Sequence, residues 1–600
     1  MIANQDMERL YWRIKNGDET ISSSTQETSG SSRKDRATII SYLALGLTCA
    51  ILLRLTYIDT FNSKFLNQQM NTRVLRTVKL NAMRGTLTDR NNNPLAVSTP
   101  VDSIWADPSA MSSLTQGQLQ QLADALGIPL IELTTKLNDK NKTFIYLKRA
   151  LAPQQARQVL GLDIAGVYTL QEYKRYYPSG AVAAHVVGFN NIDDKGAEGM
   201  EYADETLLEG SNGAKQIIRD LRGHVVENLG VTTPLHNGRQ IALSIDNRIQ
   251  YIAYNALKQQ VEKSAAVGGS VVVLDAKSGE VLAMVNLPSY NPNNRDAVSL
   301  EMLKNRAAVN VYDPGSIMKP LVIAKALDVK MVSPTTVFDT HPYSVGPKLI
   351  KDDHPYPRMT VAEIIQHSSD IGTSKIALKF KAHDLWSYYR AVGLGSKMGT
   401  GFPGETKGIL QGWQQWHPMD QALMSYGYGI SVSLFQMAHA YTVFTNNGCI
   451  LPVTFTKLEN KGPKCTQVLT PATAQTMREI LAATTEDGTG KSARVADYLV
   501  AGKTGTAQKL EGGHYSNNKH IGSFVGFAPA LDPKIIVAVM IDQPTKGLYY
   551  GAQTAAPVFA QIVQPSLHIL GVKPDKQAGA AQSAAQMPAT AVQVDIKRKV

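Results

Sequence analysis

Ser316-Ile317-Met318-Lys319 is followed along this chain by Ser368-Ser369-Asp370 and then by Lys503-Thr504-Gly505. The first stretch supplies a serine hydroxyl and a lysine, and the second supplies another hydroxyl. The third supplies a cation beside a glycine, where a substrate could lie against bare backbone. Because the three stretches are far apart in sequence, only a folded domain can bring them together. We therefore expect a serine nucleophile site assembled from three separate elements.

The spacing of the first stretch suits nucleophile activation. Ser316 follows a Pro-Gly turn and opens an apolar run, which predicts the start of a helix. Residues i and i+3 share a helix face, so Lys319 can point at the Ser316 hydroxyl and act as its base. A lysine is a base only when neutral, and burial or a second cation such as Lys503 favours that form. Two further Ser-x-x-Lys copies, at Ser31 and Ser516, lie in polar, loop-like sequence and carry no such prediction.

The Lys503 stretch is predicted to lie on a strand. Residues 498–507 are small or compatible with a strand, and residues 522–527 alternate like a neighbouring strand. A hairpin of these two segments would leave a sheet edge on which an extended peptide could lie. The stretch 426–429, Tyr-Gly-Tyr-Gly, has no Gly-Lys-Ser/Thr after it, so it is interpreted as a tight turn near the wall of the site rather than a phosphate loop.

In this order and context, the three stretches resemble the Ser-x-x-Lys, Ser-x-Asn and Lys-Thr-Gly motifs of class B penicillin-binding proteins, which are peptidoglycan D,D-transpeptidases. Other segments resemble further motifs of the same family. They are residues 84–90 (Arg-Gly-x-x-x-Asp-Arg), 175–178, 184–189, 196–199 and, in the catalytic part, 288–293. Asp313 and the Ala-His-x-x-Gly-Phe form of 184–189 are closer to the division-specific, FtsI-like branch than to the elongation-specific branch.

The resemblance implies a role for each site residue. Ser316 is similar to the acylated nucleophile, Lys319 to its general base, and Ser368 to the hydroxyl that relays a proton to the departing D-alanine. Lys503 and Thr504 resemble groups that bind the terminal carboxylate of the substrate. The backbone N–H groups of Ser316 and Thr506 resemble an oxyanion hole. The implied substrate-binding residues are Asp370, Lys503, Thr504, Gly505 and Thr506.

Asp370 departs from the family pattern, which usually has asparagine at this position. An amide both donates and accepts hydrogen bonds, whereas an ionised carboxylate only accepts. Asp370 could therefore pair with Lys319 or with Lys503. A pair with Lys319 would hold that lysine charged and oppose its role as a base. Some elongation-type relatives look similar in carrying aspartate here, so the change is compatible with activity.

The implied reaction cross-links peptidoglycan stem peptides through a Ser316 acyl-enzyme, with release of D-alanine, at the division septum. An elongation-specific transpeptidase and a D,D-carboxypeptidase of the same superfamily remain alternatives, as do two non-enzymatic readings, a penicillin-sensing receptor and a scaffold. Implied partners are stem peptides, lipid-linked precursor strands, β-lactam inhibitors, a membrane-embedded FtsW-like glycan polymerase and divisome proteins, with no nucleic acid. No residue cluster has metal-ligand spacing, so neither metal nor cofactor is expected.

An apolar stretch near the N-terminus predicts a membrane helix. Residues 37–53 carry no charge, and 55–57 extend the stretch, so we expect a transmembrane helix over 37–57. A cleaved signal peptide is the alternative, but the run is long for one and no Ala-x-Ala site follows. Basic residues precede the stretch, which predicts a cytoplasmic tail over 1–36 and a periplasmic remainder anchored in the inner membrane.

The remaining chain is predicted to form an α+β structure of two domains and a tail. We expect a pedestal of the penicillin-binding-protein dimerisation type over 58–235, a transpeptidase domain with an antiparallel sheet flanked by helices over 236–570, and a flexible tail over 571–600. Predicted strands of that sheet lie at 271–275, 280–285, 500–507, 521–527 and 535–541.

Charge and cysteine content add weaker expectations. The net charge of +11 suits work near anionic lipid and an acidic wall polymer. Cys49 lies within the predicted membrane helix. Cys449 and Cys465 could form a disulfide in an oxidising periplasm or remain two free thiols, and the sequence leaves both open.

Overall fold

The computed structural model describes residues 30–61, 65, 75–111, 114–219, 225–459, 462 and 464–576. The chain divides into two compact units, one of residues 1–78 with 216–230 and the other of residues 79–215 with 231–600. Most of the predicted cytoplasmic tail and of the predicted C-terminal tail lies outside the described residues.

The first unit contains one long helix, Gly30–Phe61. Its segment Arg36–Thr60 has a mean hydropathy of 1.9 and is long and apolar enough to cross a membrane, which agrees with the predicted span over 37–57. The hydroxyls of Ser41, Thr48 and Thr56 donate to backbone carbonyls four residues earlier, at 2.8 to 2.9 Å. Polar groups on this helix are thereby satisfied without water.

The second unit begins with a sheet that we call the N-terminal sheet. Its longest strand, Pro94–Ala106, pairs with Leu87–Thr88, Ile145–Leu151 and Val167–Tyr176. Leu87–Thr88 also pairs with Ile241–Ala242. One face is apolar, with Ile104 and Leu147 buried against Leu122 and Leu133. Leu122 and Leu133 lie on helices that cover that face. The helices of this region are Gln116–Leu126, Leu130–Leu137, Pro153–Leu160, Ala184–Val187, Gly199–Ala203 and Glu205–Leu208. A separate three-stranded sheet of Leu75–Leu80, Gly213–Arg219 and Val225–Thr233 consists mostly of residues of the first unit.

A buried ion cluster forms around Arg84, the first residue of the motif at 84–90. Arg84 is fully buried, and its guanidinium lies 2.6 Å from carboxylates of both Glu201 and Glu205. Arg175, also fully buried, lies 2.6 Å from the other Glu201 oxygen. Asp89 has a different task, accepting backbone N–H groups of its own turn, including that of Asn91 at 2.8 Å. The motif residues therefore hold the fold together.

The catalytic part contains a five-stranded antiparallel sheet, which we call the catalytic sheet. Its order is Val281–Leu287, Gly268–Asp275, Ile535–Asp542, His514–Ala528 and Ala501–Glu511. The predicted antiparallel architecture is thus confirmed, and the strand that carries Lys503 lies at the edge, as predicted. Both faces are covered, because side chains of Gly268–Asp275 alternate between two apolar clusters. The helices Asn247–Ser264 and Gly551–Ile569 pack on one face.

The opposite face is covered by a helical layer that lies, in sequence, between the first two strands and the last three. This layer carries the nucleophile and the second motif. Its helices are Leu300–Leu303, Arg306–Val309, Lys319–Asp328, Val361–Gln366, Asp370–Ala377, Ala382–Ala391, Pro418–Ser425, Leu434–Ala440, Thr442–Thr445 and Pro471–Glu486. Short strand pairs join Val337–Asp339 to Arg358–Thr360, Tyr343–Val345 to Lys348–Ile350, Cys449–Ile450 to Thr466–Gln467, and Phe189–Asn190 to Gly196–Glu198.

The two candidate cysteines form a disulfide. Cys449 and Cys465 are bonded, with their Cα atoms 5.6 Å apart, at the pair of short strands that they flank. This decides the alternative that the sequence left open. Cys49 is free and exposed on the long helix.

Replacing Glu201 with glutamine should destabilise the protein strongly. The change leaves two buried guanidinium groups with one carboxylate fewer, and breaking a buried pair costs about 3 kcal/mol or more. We expect a lower Tm for the full-length protein in detergent. Glu132→Gln is the matched control, because its pair with Lys136 is half exposed and worth at most about 1 kcal/mol. Equal Tm changes in the two variants would contradict the structural role of the cluster.

Candidate active site

Ser316 lies on a tight turn against the edge strand. Gly315–Met318 forms a 3-10 turn, and the α-helix begins only at Lys319, three residues later than the sequence predicted. Gly315 has a φ of +60°, and a side chain there would lie 3.1 Å from the Thr506 carbonyl oxygen. A side chain at Gly427 would clash directly with the backbone of Gly315. Bare backbone on both sides therefore holds the nucleophile turn in place.

Lys319 points at the second motif. Its fully buried ammonium lies 2.6 Å from a carboxylate oxygen of Asp370. It also donates to the backbone oxygen of Ser368 at 2.5 Å and to the Ser368 hydroxyl at 3.1 Å. Within the described residues, no hydrogen bond joins Lys319 Nζ to the Ser316 hydroxyl. The expected contact between Lys319 and Ser316 is therefore replaced by three acceptors of the second motif, two on Ser368 and one on Asp370.

The second motif is held by an aspartate that the sequence did not single out. Ser368 has a left-handed backbone, with a φ of +63°. Ser369 caps the next helix by accepting the Gly372 N–H at 2.9 Å. The carboxylate of Asp352 accepts the Ser369 hydroxyl at 2.5 Å and the Asp370 N–H at 2.7 Å. Since Asp352 lies in a loop without periodicity, only the folded contact reveals its role.

Asp370 is the carboxylate partner of Lys319, one of the two pairings that the sequence allowed. Burial raises the pKa of Asp370, and the Lys319 charge opposes that rise. The nearby Asp352 adds to the rise through its negative charge. The pair is asymmetric in exposure, because the Asp370 side chain is 32% exposed and that of Lys319 is 0% exposed. At this distance the two groups form an ion pair in which the ammonium is the more deeply buried partner.

Lys503 supplies a second buried cation. Its ammonium donates to the carbonyl oxygen of Thr504 at 3.1 Å and to the Thr504 hydroxyl at 3.3 Å. The Thr489 hydroxyl, which the sequence did not indicate, lies 3.4 Å from the same ammonium. Burial and the Lys319 charge hold the pKa of Lys503 well below its usual value. Lys503 has no carboxylate partner among the described residues, so it can accept one from a ligand.

Gly505 packs against the nucleophile turn. A side chain at this position would meet Ser523, would lie 2.9 Å from the Pro314 carbonyl oxygen and would lie 3.1 Å from the Ile317 side chain. The bare backbone expected to receive a substrate is thus covered by protein on this side. Thr506 accepts the Gly551 N–H at its hydroxyl, at 2.9 Å. Both residues fix the edge strand relative to Ser316.

An aromatic network forms one wall of the site. The Tyr515 hydroxyl donates to Asp313 at 2.6 Å, and Ser431 donates to the other oxygen of the same carboxylate at 3.0 Å. Tyr428 packs edge-on against Tyr515, with ring centroids 5.3 Å apart. Behind the nucleophile, the Tyr441 hydroxyl donates to the Ile317 carbonyl at 2.8 Å. The predicted tight turn that contains Tyr428 therefore does lie at the wall.

Comparison with known proteins identifies the family. The penicillin-binding protein transpeptidase domain matches residues 269–564, and the penicillin-binding protein dimerisation domain matches residues 79–243. The chain is 42% identical to the probable peptidoglycan D,D-transpeptidase PenA of Neisseria gonorrhoeae, over 90% of this chain and 94% of that protein. It is 36% identical to the peptidoglycan D,D-transpeptidase FtsI of Escherichia coli, over 88% of this chain and 91% of that protein.

A solved structure resembles the catalytic part. It is the apo structure of the transpeptidase domain of penicillin-binding protein 3 from Burkholderia pseudomallei, with 42% sequence identity and a TM-score of 0.52. The match covers 56% of this chain and 97% of that domain. The chain therefore belongs to the penicillin-binding protein family and carries its transpeptidase and dimerisation domains.

Proposed function

We propose that this protein is a peptidoglycan D,D-transpeptidase that cross-links stem peptides at the division septum. The observation that carries the proposal is the Lys319 ammonium, buried between Ser368 and Asp370 beside the turn that holds Ser316. A buried lysine with a partly buried serine on each side fits acyl transfer, because Lys319 contacts the Ser368 hydroxyl and lies three residues after Ser316, so it can pass a proton from one to the other. The relatives named PenA and FtsI support the septal assignment over the elongation role.

Acylation would begin when neutral Lys319 accepts the Ser316 proton. The Ser316 oxygen attacks the penultimate D-alanine carbonyl, and Ser368 passes a proton to the departing D-alanine amine. The amine of a neighbouring stem peptide then attacks the acyl-enzyme and releases Ser316. Backbone N–H groups of Ser316 and Thr506 would stabilise the oxyanion of each step, a contribution of about 3 kcal/mol per donor in comparable sites.

Substrate binding would use the edge strand and its buried cation. Lys503, Thr504 and Thr506 would bind the terminal carboxylate, and the stem peptide would extend along the strand, past Gly505, by adding main-chain hydrogen bonds. A bound carboxylate restores the charged form of Lys503, whose pKa is low in the free enzyme. Asp370 would accept a substrate N–H where an asparagine would also donate to a carbonyl.

The arrangement in the cell follows from the long apolar helix. We assign residues 1–36 to the cytoplasm, 37–57 to the inner membrane, 58–235 to a periplasmic pedestal, 236–570 to the transpeptidase domain and 571–600 to a C-terminal tail. The single apolar helix near the N-terminus supports a membrane-anchored enzyme. Partners in this arrangement are lipid-linked precursor strands, an FtsW-like glycan polymerase and divisome proteins, with β-lactams as inhibitors.

Substituting Ser316 with alanine should abolish labelling by a fluorescent penicillin. The variant lacks the oxygen that forms the acyl bond, whereas the wild-type protein should hold a stable acyl group. Ser516→Ala is the matched control, because it removes the serine of another Ser-x-x-Lys copy and should leave labelling unchanged. Labelled bands on a denaturing gel measure the outcome. Equal labelling of wild type and Ser316→Ala would disprove the assignment, and rapid loss of label would favour a hydrolase.

Substituting Asp370 with asparagine should move the alkaline limb of the pH dependence of acylation toward acid. The Asp370 charge raises the pKa of Lys503, which burial and the Lys319 charge hold well below its usual value. Without the carboxylate this pKa falls further, so Lys503 loses the charge that would bind the substrate carboxylate at a lower pH. We expect the half-maximal rate on the alkaline side to move down by about one pH unit or more.

Stopped-flow acylation across pH 6 to 9 checks this shift. Asp139→Asn is the control, since this exposed carboxylate pairs with Lys142 in the N-terminal region and should leave the profile unchanged. A profile that is identical in wild type and Asp370→Asn would show that the Asp370 charge does not govern the charge of Lys503.

A further inference from the structure

A cleft of about 1240 Å³ opens on the N-terminal part of the second unit. Strands of the N-terminal sheet line it together with residues 189–195 and 292–298, and none of its lining residues belongs to the Ser316 site. Asparagines such as Asn81, Asn191 and Asn294 contribute amide donors and acceptors to its surface. The cleft is therefore a polar cavity separate from the catalytic chemistry.

The helices of the N-terminal region pack on the face of the N-terminal sheet that carries Ile104 and Leu147. The opposite face carries four aromatic side chains, Trp105, Phe144, Tyr146 and Tyr168, which we call the aromatic platform. Trp105 lies 4.7 Å from Phe144 and 4.6 Å from Tyr168, measured between ring centroids. Phe144 is 43% exposed although it is a large apolar residue. Such a group of rings at a surface marks a binding site more often than a core.

The aromatic platform continues into the cleft. Tyr146 lies 4.8 Å from Phe144, edge to face, and also lines the cleft. Arg149 lies over the Tyr146 ring at 4.6 Å and lines the cleft as well. Side chains alternate along a strand, so Tyr168, Leu170 and Glu172 follow one another on the same face, and the last two line the cleft. Platform and cleft thus form one continuous surface.

Within the part of the chain that the structure describes, the cleft has more unpaired positive groups than negative ones. Arg149 is neutralised by Glu172 and Asp193. The lining cations without a carboxylate partner are Lys79, Lys174, Lys195 and Arg295, against the three lining carboxylates without an ion pair, Asp194, Glu209 and Asp296. Arg295 instead lies 3.9 Å from the Phe189 ring centroid. The surface is therefore complementary to an anionic ligand.

Arg175 adds a buried donor that lacks a partner. Its side chain is fully buried and lines the cleft, and its Nε is paired with Glu201. Its Nη2 has no hydrogen-bond partner among the described residues. Buried donors in folded proteins nearly always have an acceptor, so an unpartnered one beside a polar cavity points to an acceptor supplied by a ligand.

We propose that the cleft and the aromatic platform bind the glycan strand of un-cross-linked peptidoglycan. The apolar C–H faces of its sugar rings suit the aromatic platform, since each ring offers a flat apolar surface and hydroxyls at its rim. The acetamido groups suit the asparagines, and the carboxylates of the stem peptides suit Arg295 and the unpaired lysines. This inference rests on the proposed function, because the bound strand is the polymer whose peptides Ser316 would acylate.

The test measures binding of fluorescent, soluble, un-cross-linked peptidoglycan strands to the full-length protein in detergent. The protein is first acylated with penicillin, so that the Ser316 site does not contribute. We expect Trp105→Ala and Phe144→Ala each to weaken binding roughly tenfold. Phe144→Ala keeps the test interpretable if the half-buried Trp105 affects folding. Ile131→Ala, which removes a 76% exposed apolar side chain from a helix of the same region, should leave the affinity unchanged.

Two ligands separate the sugar contacts from the peptide contacts. Strands freed of their stem peptides should still bind and should still lose affinity with the platform variants. The double variant Lys174→Ala/Arg295→Ala should weaken binding of intact strands and spare the peptide-free strands. Unchanged strand affinity in all of these variants would overturn the inference and leave a protein as the occupant. Labelling at Ser316 reports separately on the proposed function, since it should be normal in every one of them.

Discussion

The ion pair between Lys319 and Asp370 is the contact on which the arrangement of the first two motifs depends. A fully buried ammonium requires compensation, and the nearest carboxylate supplies it at 2.6 Å. The contact holds the helix that begins at Lys319 against the second motif. Ser368 lies at the same ammonium, so its position also depends on this pair. This ion pair joins the first two motifs, and the packing of Gly505 against the turn that carries Ser316 joins the third motif to them.

Electrostatic coupling extends from that pair to the edge strand. Lys503 is buried near Lys319, and two like charges in a low-dielectric site oppose each other. The Asp370 carboxylate therefore forms an ion pair with Lys319 and also raises the pKa of Lys503, which it does not contact. An asparagine at this position would contact the same neighbours without compensating either charge. The aspartate changes the electrostatics of the site while leaving its geometry recognisable.

The order of the motifs, the antiparallel sheet and the edge position of Lys503 follow from the sequence, because periodicity and motif spacing are local properties. The direction of Lys319 does not, since it depends on the left-handed backbone at Ser368, which nothing local requires. Asp352 and Thr489 were invisible for a similar reason. Each acts through a contact between distant segments. The role of Gly505 in substrate binding stays a prediction, and the side of its backbone where a side chain would lie faces the turn that carries Ser316 rather than open space.

The close packing of Gly315, Gly427 and Gly505 around Ser316 has an evolutionary consequence. A side chain at any of these positions would displace the turn that carries the attacking oxygen, and with it the normal reaction. Selection by an antibiotic that mimics the substrate cannot readily act there without loss of fitness. Exchanges are tolerated more readily at positions with more room, such as the partly exposed side chain at position 370.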